Sequence, residues 1–445
     1  MRYQNIVLIS PPFYSHFQPM LALAAACAHD GARVTVACSV AFAAQVQAQE
    51  IHFYELNITR NANTGIAQRT DQSRSEAERL NAFFEATRHG PIATLRLQSE
   101  HRQHDMLTDP ERMLADVGQM IQALQPDICI VDQLSYAVTL ALYCLQQPFL
   151  TYCPGHPTYV PSGTQLFGVP YAWPREFTIA PEALSDLRAL AQQVDTKFTS
   201  LFNSIIAAHA PHLPPVVSAF RLCSPLAVLY TYPAFPHLLE QIESNGIERI
   251  FMGACFQRET LPTTWRDRLL AVEASGPRIL IALGTFLSAR TDVLERCICA
   301  IGDAYPQALC IVAAGGSAEA LAHLSSDRVI IEAFIPQKGL LPSMDVVIHH
   351  GGNNSFTESL YYGKPAVILP FSSDQFSIAH DAQRCGLAAC LDPNSFTAAD
   401  LAAAIATLLR DAARADLHTW QAHVQERGPS YAVRQIQAGA ALPLT

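Results

Sequence analysis

The sequence predicts an α/β protein made of two doubly wound domains that face each other across a cleft. Three observations carry this prediction. The chain has 445 residues, 50% of them hydrophobic, which is too long for one ordinary core and apolar enough for two. Short apolar runs alternate with helical stretches from the N-terminus onward. The same alternation restarts after the polar segment "QRETLPTTWRDR", so we place the domain boundary near residue 257.

The first unit of the chain has the pattern of a strand, a helix and a second strand. "NIVLIS" is a buried-strand run, "PPFYSHFQ" is predicted as a loop, and "MLALAAACAHD" fills a helix with Pro19 in its first turn and Gly31 at its end. "ARVTVAC" is the second strand, which favours a parallel sheet. The loop lacks the GxGxxG pattern, so no dinucleotide site is predicted there.

The rest of the first half continues this alternation. Residues 57–122 are polar and helical in character, and "PDICIVD", an apolar helix over 136–145 and "PFLTYC" follow. The stretch from Tyr152 to Phe177 is rich in Pro, Gly and aromatic residues, which is typical of a long loop over a cleft. "LAVLYTYP" and "RIFMGACF" are the closing strands of this half.

The second half repeats the architecture without repeating the sequence. Its predicted strands are "RILIALG", "ALCIVAAGG", "RVIIEAFIP", "DVVIHH" and "AVILPF", with helices at "DVLERCICAIGDAY" and "GLLPSM" and between the last two strands. Ligands of such sheets bind at the carboxyl ends of the strands, so two facing sheets predict a binding cleft between domains. We assign residues 1–257 and 258–428 to the two domains and expect a C-terminal helix of about 429–445 to pack back on the first.

Charge and cysteine content exclude several classes of protein. The formal net charge is −10 and no basic run occurs, so nucleic-acid binding is not predicted. The 12 cysteines are scattered without a CxxC pair, which favours reduced thiols in a cytoplasmic protein. The N-terminus does not resemble a signal peptide, and no apolar run approaches the roughly 18 residues of a membrane span.

The segment "HHGGNNSFTESLYYGKPAVILPFSSDQ", residues 349–375, carries the functional prediction. Gly352 and the glycine before it let the backbone approach a ligand closely, and the helix that Asn354 or Ser355 is predicted to cap offers free amides to an anion. The side chains of Asn354 and Ser355 add donors, and His350 adds a proton or a positive charge. Together they predict a diphosphate site. Ser355 and Glu358 also have the spacing of a capping box, which alone would account for both residues.

The segment 334–375, "FIPQKGLLPSMDVVIHHGGNNSFTESLYYGKPAVILPFSSDQ", resembles the donor-binding signature of the family-1 (UGT-type) glycosyltransferases. Weaker similarity covers nearly the whole chain. It is most similar to bacterial members that glycosylate macrolides, carotenoids and other apolar metabolites. The resemblance implies a GT-B fold with two Rossmann-like domains, a nucleotide-sugar donor and an apolar small-molecule acceptor.

The resemblance also implies a role for each matching donor-site residue. The nucleotide base would stack on Phe334, where the family often has Trp, Gln337 would contact the base or the ribose, and Glu358 would contact the ribose. The diphosphate would bind to His350, Gly352, Asn354 and Ser355, near Thr285 of "ALGTF". The sugar hydroxyls would contact Asp374 and Gln375. Two alternatives stay open. Phe334 could be an apolar core residue at a strand end, and Asp374 could cap a helix beginning near Phe376.

Sugar transfer needs a group that takes the proton of the acceptor hydroxyl, and histidine suits that task near neutral pH. "SHFQPML" resembles the family's GHxxP stretch, whose histidine is the general base, here His16 in the loop after the first strand. Ser15 replaces the usual glycine and leaves the local geometry open. Asp132 ends the strand "ICIVD" at the same sheet edge and matches the aspartate that orients the base. It could instead cap the following helix, and Asp127 is a second, weaker candidate.

The implied reaction is displacement with inversion at the anomeric carbon, giving a β-glycoside from an α-linked donor. No Asp-x-Asp motif occurs, so we predict no metal and assign the diphosphate charge to the helix dipole and His350. No cofactor is expected besides the nucleotide sugar, with UDP-glucose favoured over a TDP-sugar. Acceptor identity and oligomeric state stay open. The alternatives are a GT-B UDP-sugar epimerase and an inactive partner protein. An inactive protein would be free to lose His16, Asp132 or Asp374, and this chain has all three.

Overall fold

A computed structural model of the chain describes residues 3–59, 74–105, 107, 109–241, 246–272, 275–410 and 414–439. It contains one sheet of seven strands and one of six. Every pair of neighbouring strands in both sheets is parallel. The predicted α/β architecture of two doubly wound, Rossmann-like halves is therefore confirmed.

The first sheet has the strand order β3-β2-β1-β4-β5-β6-β7. Its strands are β1 Asn5–Ile9, β2 Arg33–Cys38, β3 His52–Glu55, β4 Ile128–Asp132, β5 Phe149–Cys153, β6 Ala227–Tyr230 and β7 Glu248–Phe251. The helices of this half are α1 Tyr14–His29, α2 Ala43–Gln47, α3 Arg74–Arg88, α4 Pro91–Asp105, α5 Pro110–Leu124, α6 Tyr136–Cys144, α7 Pro181–His209 and α8 Pro236–Leu239.

The second sheet has the strand order β10-β9-β8-β11-β12-β13. Its strands are β8 Arg278–Ala282, β9 Leu309–Ala313, β10 Val329–Glu332, β11 Val346–His349, β12 Ala366–Ile368 and β13 Ala388–Cys390. The helices from this half to the C-terminus are α9 Thr263–Ala271, α10 Gly284–Leu287, α11 Thr291–Ala304, α12 Ala318–Leu321, α13 Gln337–Leu340, α14 Asn353–Tyr361, α15 Gln375–Arg384, α16 Ala398–Leu408, α17 Arg414–Gln425 and α18 Pro429–Ala438.

Both faces of each sheet are covered, which explains why the strands are continuous apolar runs instead of alternating ones. In β1, the residues of one face pack with α1 and those of the other face pack with α5 and α6. Helix α18 also packs on the first domain, with Ala432, Val433 and Ile436 in the same core as β1 and α1. Residues 440–445 lie outside the described part of the chain.

The two domains are in direct contact and share one hydrophobic cluster. Tyr232 and Phe235 of the first domain and Phe356 and Phe376 of the second belong to it. All 12 cysteines are free. In the described residues, no helix combines the length and the apolar character that crossing a membrane requires.

Helix α1 begins earlier than the sequence predicts, and His16 lies in its first turn instead of in a loop. Pro19 lies inside this helix. Because proline has no N–H, the carbonyl of Ser15 loses its partner four residues on. That carbonyl accepts a hydrogen bond from Asn354 Nδ2 of the second domain, at 2.8 Å. Ser15 has no positive φ, so the first turn does not require a glycine at this position.

Candidate active site

The carboxyl edges of the two sheets bring the predicted site residues together. His16 lies in the first turn of α1, the helix that follows β1, and Asp132 is the last residue of β4, which pairs with β1. His350 follows β11 in the second sheet, and α14 begins three residues later. The site therefore lies where both predicted binding edges meet.

His16 and Asp132 form a hydrogen-bonded pair. His16 Nδ1 lies 2.9 Å from Asp132 Oδ2; the Asp132 side chain is fully buried, and that of His16 is 16% exposed. Asp132 Oδ1 accepts from the backbone N–H of Leu134 at 2.9 Å. Helix α6 begins later and has no side-chain cap, so Asp132 holds the turn and the imidazole but does not cap that helix. A neutral ring that donates from Nδ1 has its lone pair on Nε2.

The charge of Asp132 also sets the basicity of this pair. Burial alone lowers the pKa of His16, but the attraction of the Asp132 carboxylate and its hydrogen bond outweigh burial, so the pKa is raised above its ordinary 6.5. The charge of Asp374 acts in the same direction. Asp127 is elsewhere: its carboxylate accepts from the backbone of Gln4 and Asn5 at the amino end of β1.

Helix α14 is not capped as the sequence predicts. Its N-cap is Gly352, no side chain caps it, and neither Asn354 nor Ser355 holds that position. The capping-box alternative is wrong, because the Glu358 carboxylate accepts from Gln337 Nε2 at 2.9 Å instead. The amides of the first helical turn therefore keep their capacity for an anion.

Two asparagines in the first turn of α14 reach the first domain. Asn354 donates to Ser15 O, as described above. Asn353, which the sequence analysis does not select, donates from Nδ2 to Pro154 O at 2.9 Å and to Thr231 Oγ1 at 2.8 Å. The start of α14 is thus fixed to the loops that follow β5 and β6.

His350 lies in a space formed by two glycines. A Cβ on Gly284 would lie 2.7 Å from the ring, and one on Gly352 would lie 2.3 Å from its Nε2. Burial lowers the pKa of His350 to about 4, which favours a proton donated by the neutral ring over a positive charge, the two contributions that the sequence left open. Its buried Nδ1 has no hydrogen-bond partner among the described residues. The neutral ring can still donate to a ligand. The side chain of Thr285, which follows Gly284 in α10, lies outside the described part of the structure.

The predicted base and ribose contacts lie on α14 and on the segment after β10. Gln337 and Glu358 are joined by the hydrogen bond described above. Burial raises the pKa of Glu358 to about 7, although Lys338 and Gln337 act against it. The Phe334 side chain is 69% exposed, so the alternative of a core residue is wrong and the ring is free to stack.

The two predicted sugar contacts differ in what they can offer. Asp374 is the N-cap residue of α15, but its side chain does not cap the helix. Its Oδ2 accepts instead from the backbone N–H of His156 at 2.9 Å. Gln375 Oε1 accepts from the amides of Phe371 and Ser372, at 2.9 and 3.1 Å. That oxygen has no lone pair left for a sugar, so the expectation is corrected: Gln375 shapes the loop before Asp374 and offers only an N–H.

The sequence analysis misses three residues that join the domains at this site: Asn353, His156 and Asp381. Asp381 is fully buried in α15 and accepts from His156 Nε2 at 3.0 Å. The sequence signal for Asp381 was a carboxylate placed between the apolar residues Ile378 and Ala382, both buried on the same helix. A charge in such a position is rarely buried without partners, so it indicates a hydrogen-bonded contact. In the described chain, no three His, Cys, Asp or Glu side chains are grouped so that they could hold a metal ion.

Comparison with known proteins gives consistent findings. Residues 306–426 match the family model described as "Erythromycin biosynthesis protein CIII-like, C-terminal domain". A demethyllactenocin mycarosyltransferase of Streptomyces fradiae is 25% identical over 50% of this chain and 47% of its own, so this match spans about half of that relative. A zeaxanthin glucosyltransferase of Pseudescherichia vulneris is 23% identical over 84% of this chain and 83% of its own.

A solved structure extends the comparison to the fold. The glycosyltransferase VinC in complex with dTDP superposes with a TM-score of 0.64 at 18% identity, covering 97% of this chain and 98% of that one. The fold is that of the GT-B glycosyltransferases, and the curated relatives support glycosyl transfer from a nucleotide-sugar donor. Within that class, the chain is similar to glycosyltransferases of bacterial natural products.

Proposed function

We propose that the protein transfers a hexose, glucose before others, from a UDP- or TDP-sugar to a hydroxyl of an apolar small molecule, with inversion. The observation that carries this proposal is the buried pair of His16 Nδ1 and Asp132 Oδ2, 2.9 Å apart, at the sheet edge that faces the donor helix. This is the geometry of a base held by an orienting carboxylate.

In the proposed step, His16 Nε2 takes the proton of the acceptor hydroxyl. The freed oxygen forms a bond to the anomeric carbon from the face opposite the diphosphate, and the bond between that carbon and the diphosphate oxygen breaks. Its electron pair leaves with the diphosphate. Asp132 stabilises the imidazolium, while the amides at the start of α14 and the neutral ring of His350 donate to the leaving group.

The donor assignment combines three contacts. Phe334 would stack on the base, Gln337 and Glu358 would hold the ribose, and Asp374 would accept from sugar hydroxyls. Similarity to the zeaxanthin glucosyltransferase supports glucose as the donor sugar. Similarity to the mycarosyltransferase and to the structure with bound dTDP supports a TDP-sugar as the alternative donor. A stacking aromatic accepts uridine and thymidine alike, so both nucleotides belong in the assay.

An aromatic cluster near the base supports an apolar acceptor. Tyr136 lies four residues after Asp132 and meets the rings of Phe167, Phe198 and Phe220 edge-on. Its hydroxyl is buried and has no partner among the described residues. A large, flat acceptor that displaces part of this cluster would bury apolar surface and could use that hydroxyl.

The proposed enzyme works without a metal and without a resident cofactor in the cytoplasm. Helix α14 and His350 supply the diphosphate contacts that a metal would otherwise make. Transfer should therefore persist in EDTA. Activity that chelation abolishes and Mg²⁺ restores would contradict this part of the proposal.

The test is an assay of nucleotide release with phenols, macrolides and a carotenoid diol, each with UDP-glucose and a TDP-deoxysugar. We expect acceptor-dependent release and a β-glycoside. The matched control is His16→Ala, which should bind donor normally. Conversion of the UDP-sugar without acceptor would favour the epimerase, and a chain that binds donor but never turns over would favour the inactive partner.

A further inference from the structure

Asp381 is a buried carboxylate at the boundary between the domains. It lies in α15 of the second domain and is fully buried. Four donors from the first domain bond to it: His156 Nε2 at 3.0 Å, His237 Nε2 at 2.9 Å, Tyr232 Oη at 3.1 Å and Tyr171 Oη. Its neighbour His380 lies at 3.3 Å.

These donors keep the carboxylate charged. Burial alone would raise the pKa of Asp381, but the hydrogen bonds from His156, His237 and His380 hold it well below its ordinary value. An ionised carboxylate in an apolar interior is costly unless its lone pairs are satisfied, and here each oxygen has at least two donors. The first domain thus supplies most of the hydrogen bonds that stabilise the buried charge of Asp381.

His156 connects this cluster to the proposed sugar contact. Its ring donates to Asp381, and its backbone N–H donates to Asp374 Oδ2 at 2.9 Å. One residue of the first domain is therefore held at two points by two carboxylates of the second domain. The preceding Gly155 packs closely against the same carboxylate, because a Cβ there would lie 2.5 Å from Asp374 Oδ2. Pro154 O accepts from Asn353 at the start of α14.

We propose that Asp381 is a positioning residue for sugar recognition: through the ring of His156 it fixes the backbone N–H that orients the Asp374 carboxylate. This inference rests on the proposed function, in which Asp374 accepts from the sugar hydroxyls. A carboxylate that can rotate discriminates poorly between epimers. One that is tied at Oδ2 presents Oδ1 in a fixed direction.

The chain offers a matched pair of variants. His156→Phe and His237→Phe each remove one imidazole N–H from Asp381. Each phenyl ring keeps an aromatic neighbour, Tyr171 at a centroid distance of 5.3 Å in the first case and Phe235 at 5.6 Å in the second. Only His156 also holds Asp374. The two variants therefore separate positioning of Asp374 from stabilisation of the domain contact.

The measurement is the ratio of kcat/KM for UDP-glucose to that for UDP-galactose, with the affinity for UDP and the melting temperature as controls. We expect His156→Phe to lower the ratio by about tenfold and to raise the KM for UDP-glucose, with UDP affinity retained. His237→Phe should lower the melting temperature similarly but keep the wild-type ratio. Asp381→Asn, which keeps the side-chain volume, should behave like His156→Phe and replaces it if that variant does not fold.

A double-mutant cycle with Asp374→Asn separates the two hypotheses. If Asp374→Asn leaves the sugar ratio unchanged, the proposed function of Asp374 is wrong. If Asp374→Asn changes the ratio but His156→Phe and Asp381→Asn do not, or if the His156 and Asp374 effects simply add, only the positioning role is overturned. We expect no further loss of the ratio when His156→Phe is added to Asp374→Asn, because both act on one carboxylate.

Discussion

The buried carboxylate of Asp132 sets both the orientation and the basicity of His16. It raises the pKa of His16 against the opposing effect of burial. Only the deprotonated base is active, so kcat/KM should fall as the pH drops below that raised pKa, which lies above 6.5. Asp132→Asn removes the charge. This substitution should shift the acidic limb of the pH profile of kcat/KM to lower pH and reduce kcat by about 10²–10⁴.

The profile should be measured with an acceptor whose hydroxyl is not already acidic, since an acidic phenol needs less help from a base. His16→Ala should abolish the acidic limb and lose about 10²–10⁴ in kcat with donor affinity retained. An Asp132→Asn enzyme with an unshifted limb would show that Asp132 only holds the turn through Leu134.

Glu358 predicts a second pH effect, on donor binding instead of turnover. Its pKa of about 7 means that the Glu358 carboxylate, the proposed ribose contact, is largely protonated below neutral pH. A carboxylate accepts more hydrogen bonds from ribose hydroxyls than the acid does. The affinity for UDP-glucose should therefore increase by about tenfold from about pH 6 to about pH 8.

Calorimetric titration of UDP-glucose checks this dependence, with Glu358→Gln as the variant that should bind weakly at every pH. His350 does not titrate in this range, because its pKa is about 4. A charged His16 would attract the diphosphate at low pH and act in the opposite direction. The titration is therefore repeated in His16→Ala, where a flat profile would contradict the assignment of Glu358.

At the scale of elements, the start of α14 depends on glycines that make room for a histidine. Gly352 has an ordinary φ, so Gly352→Ala strains no backbone, but its Cβ would lie 2.3 Å from His350 Nε2. The ring must then move away from the diphosphate position. We expect a KM for UDP-glucose raised about tenfold or more, because displaced donors no longer align with the leaving group.

Gly302→Ala is the matched control for that substitution. Gly302 lies in α11, and nothing lies within 4 Å of the position of its Cβ. Alanine there should stabilise the fold by about 0.5–1 kcal/mol without changing KM, since glycine is a poor helix residue. Equal kinetic effects of the two substitutions would mean that the loss at Gly352 does not come from His350.

The same scale shows what the sequence could predict. Apolar runs such as β1 and β11 identified the parallel strands, because strands covered on both faces carry no alternation. Because proline favours the first turn of a helix, the start of α1 was predicted too late. In the structure Pro19 lies inside α1, and the Ser15 carbonyl that it leaves without a partner accepts a hydrogen bond from Asn354 of the other domain. Helix α7 is absent from the prediction.

Two kinds of signal made the site predictable: spacing along one segment and, for His16 and Asp132, positions after strands at the same sheet edge. Residues of the segment 334–375 share one sheet edge, so local pattern located them. The roles of Gln375 and Asp381 depend on partners that sequence order does not reveal, the amides of a preceding loop and four donors of the other domain. The contacts of Asp381 are long-range and are fixed by how the two domains meet, whereas those of Gln375 depend on the folded shape of one loop.

At the scale of the whole molecule, the domains touch where substrates must enter. Asp374 and Asp381 hold His156, and Arg290 Nη1 donates to Thr87 Oγ1 at 3.2 Å. We expect some of these contacts between the domains to open and close when a donor binds at α14. Contacts between domains are the common low-stability elements of such enzymes.

Hydrogen exchange at the His156 amide should report that opening. This N–H is bonded to Asp374 and has no strand partner, whereas the amides of β4 are bonded within a central strand. In the free enzyme we expect the segment 154–159 to exchange at least about tenfold faster than β4. UDP-glucose should slow its exchange more than UDP does, because only the sugar reaches Asp374. Exchange as slow as that of β4, unaffected by donor, would mean that the domains do not separate at His156 and that substrates enter by another route.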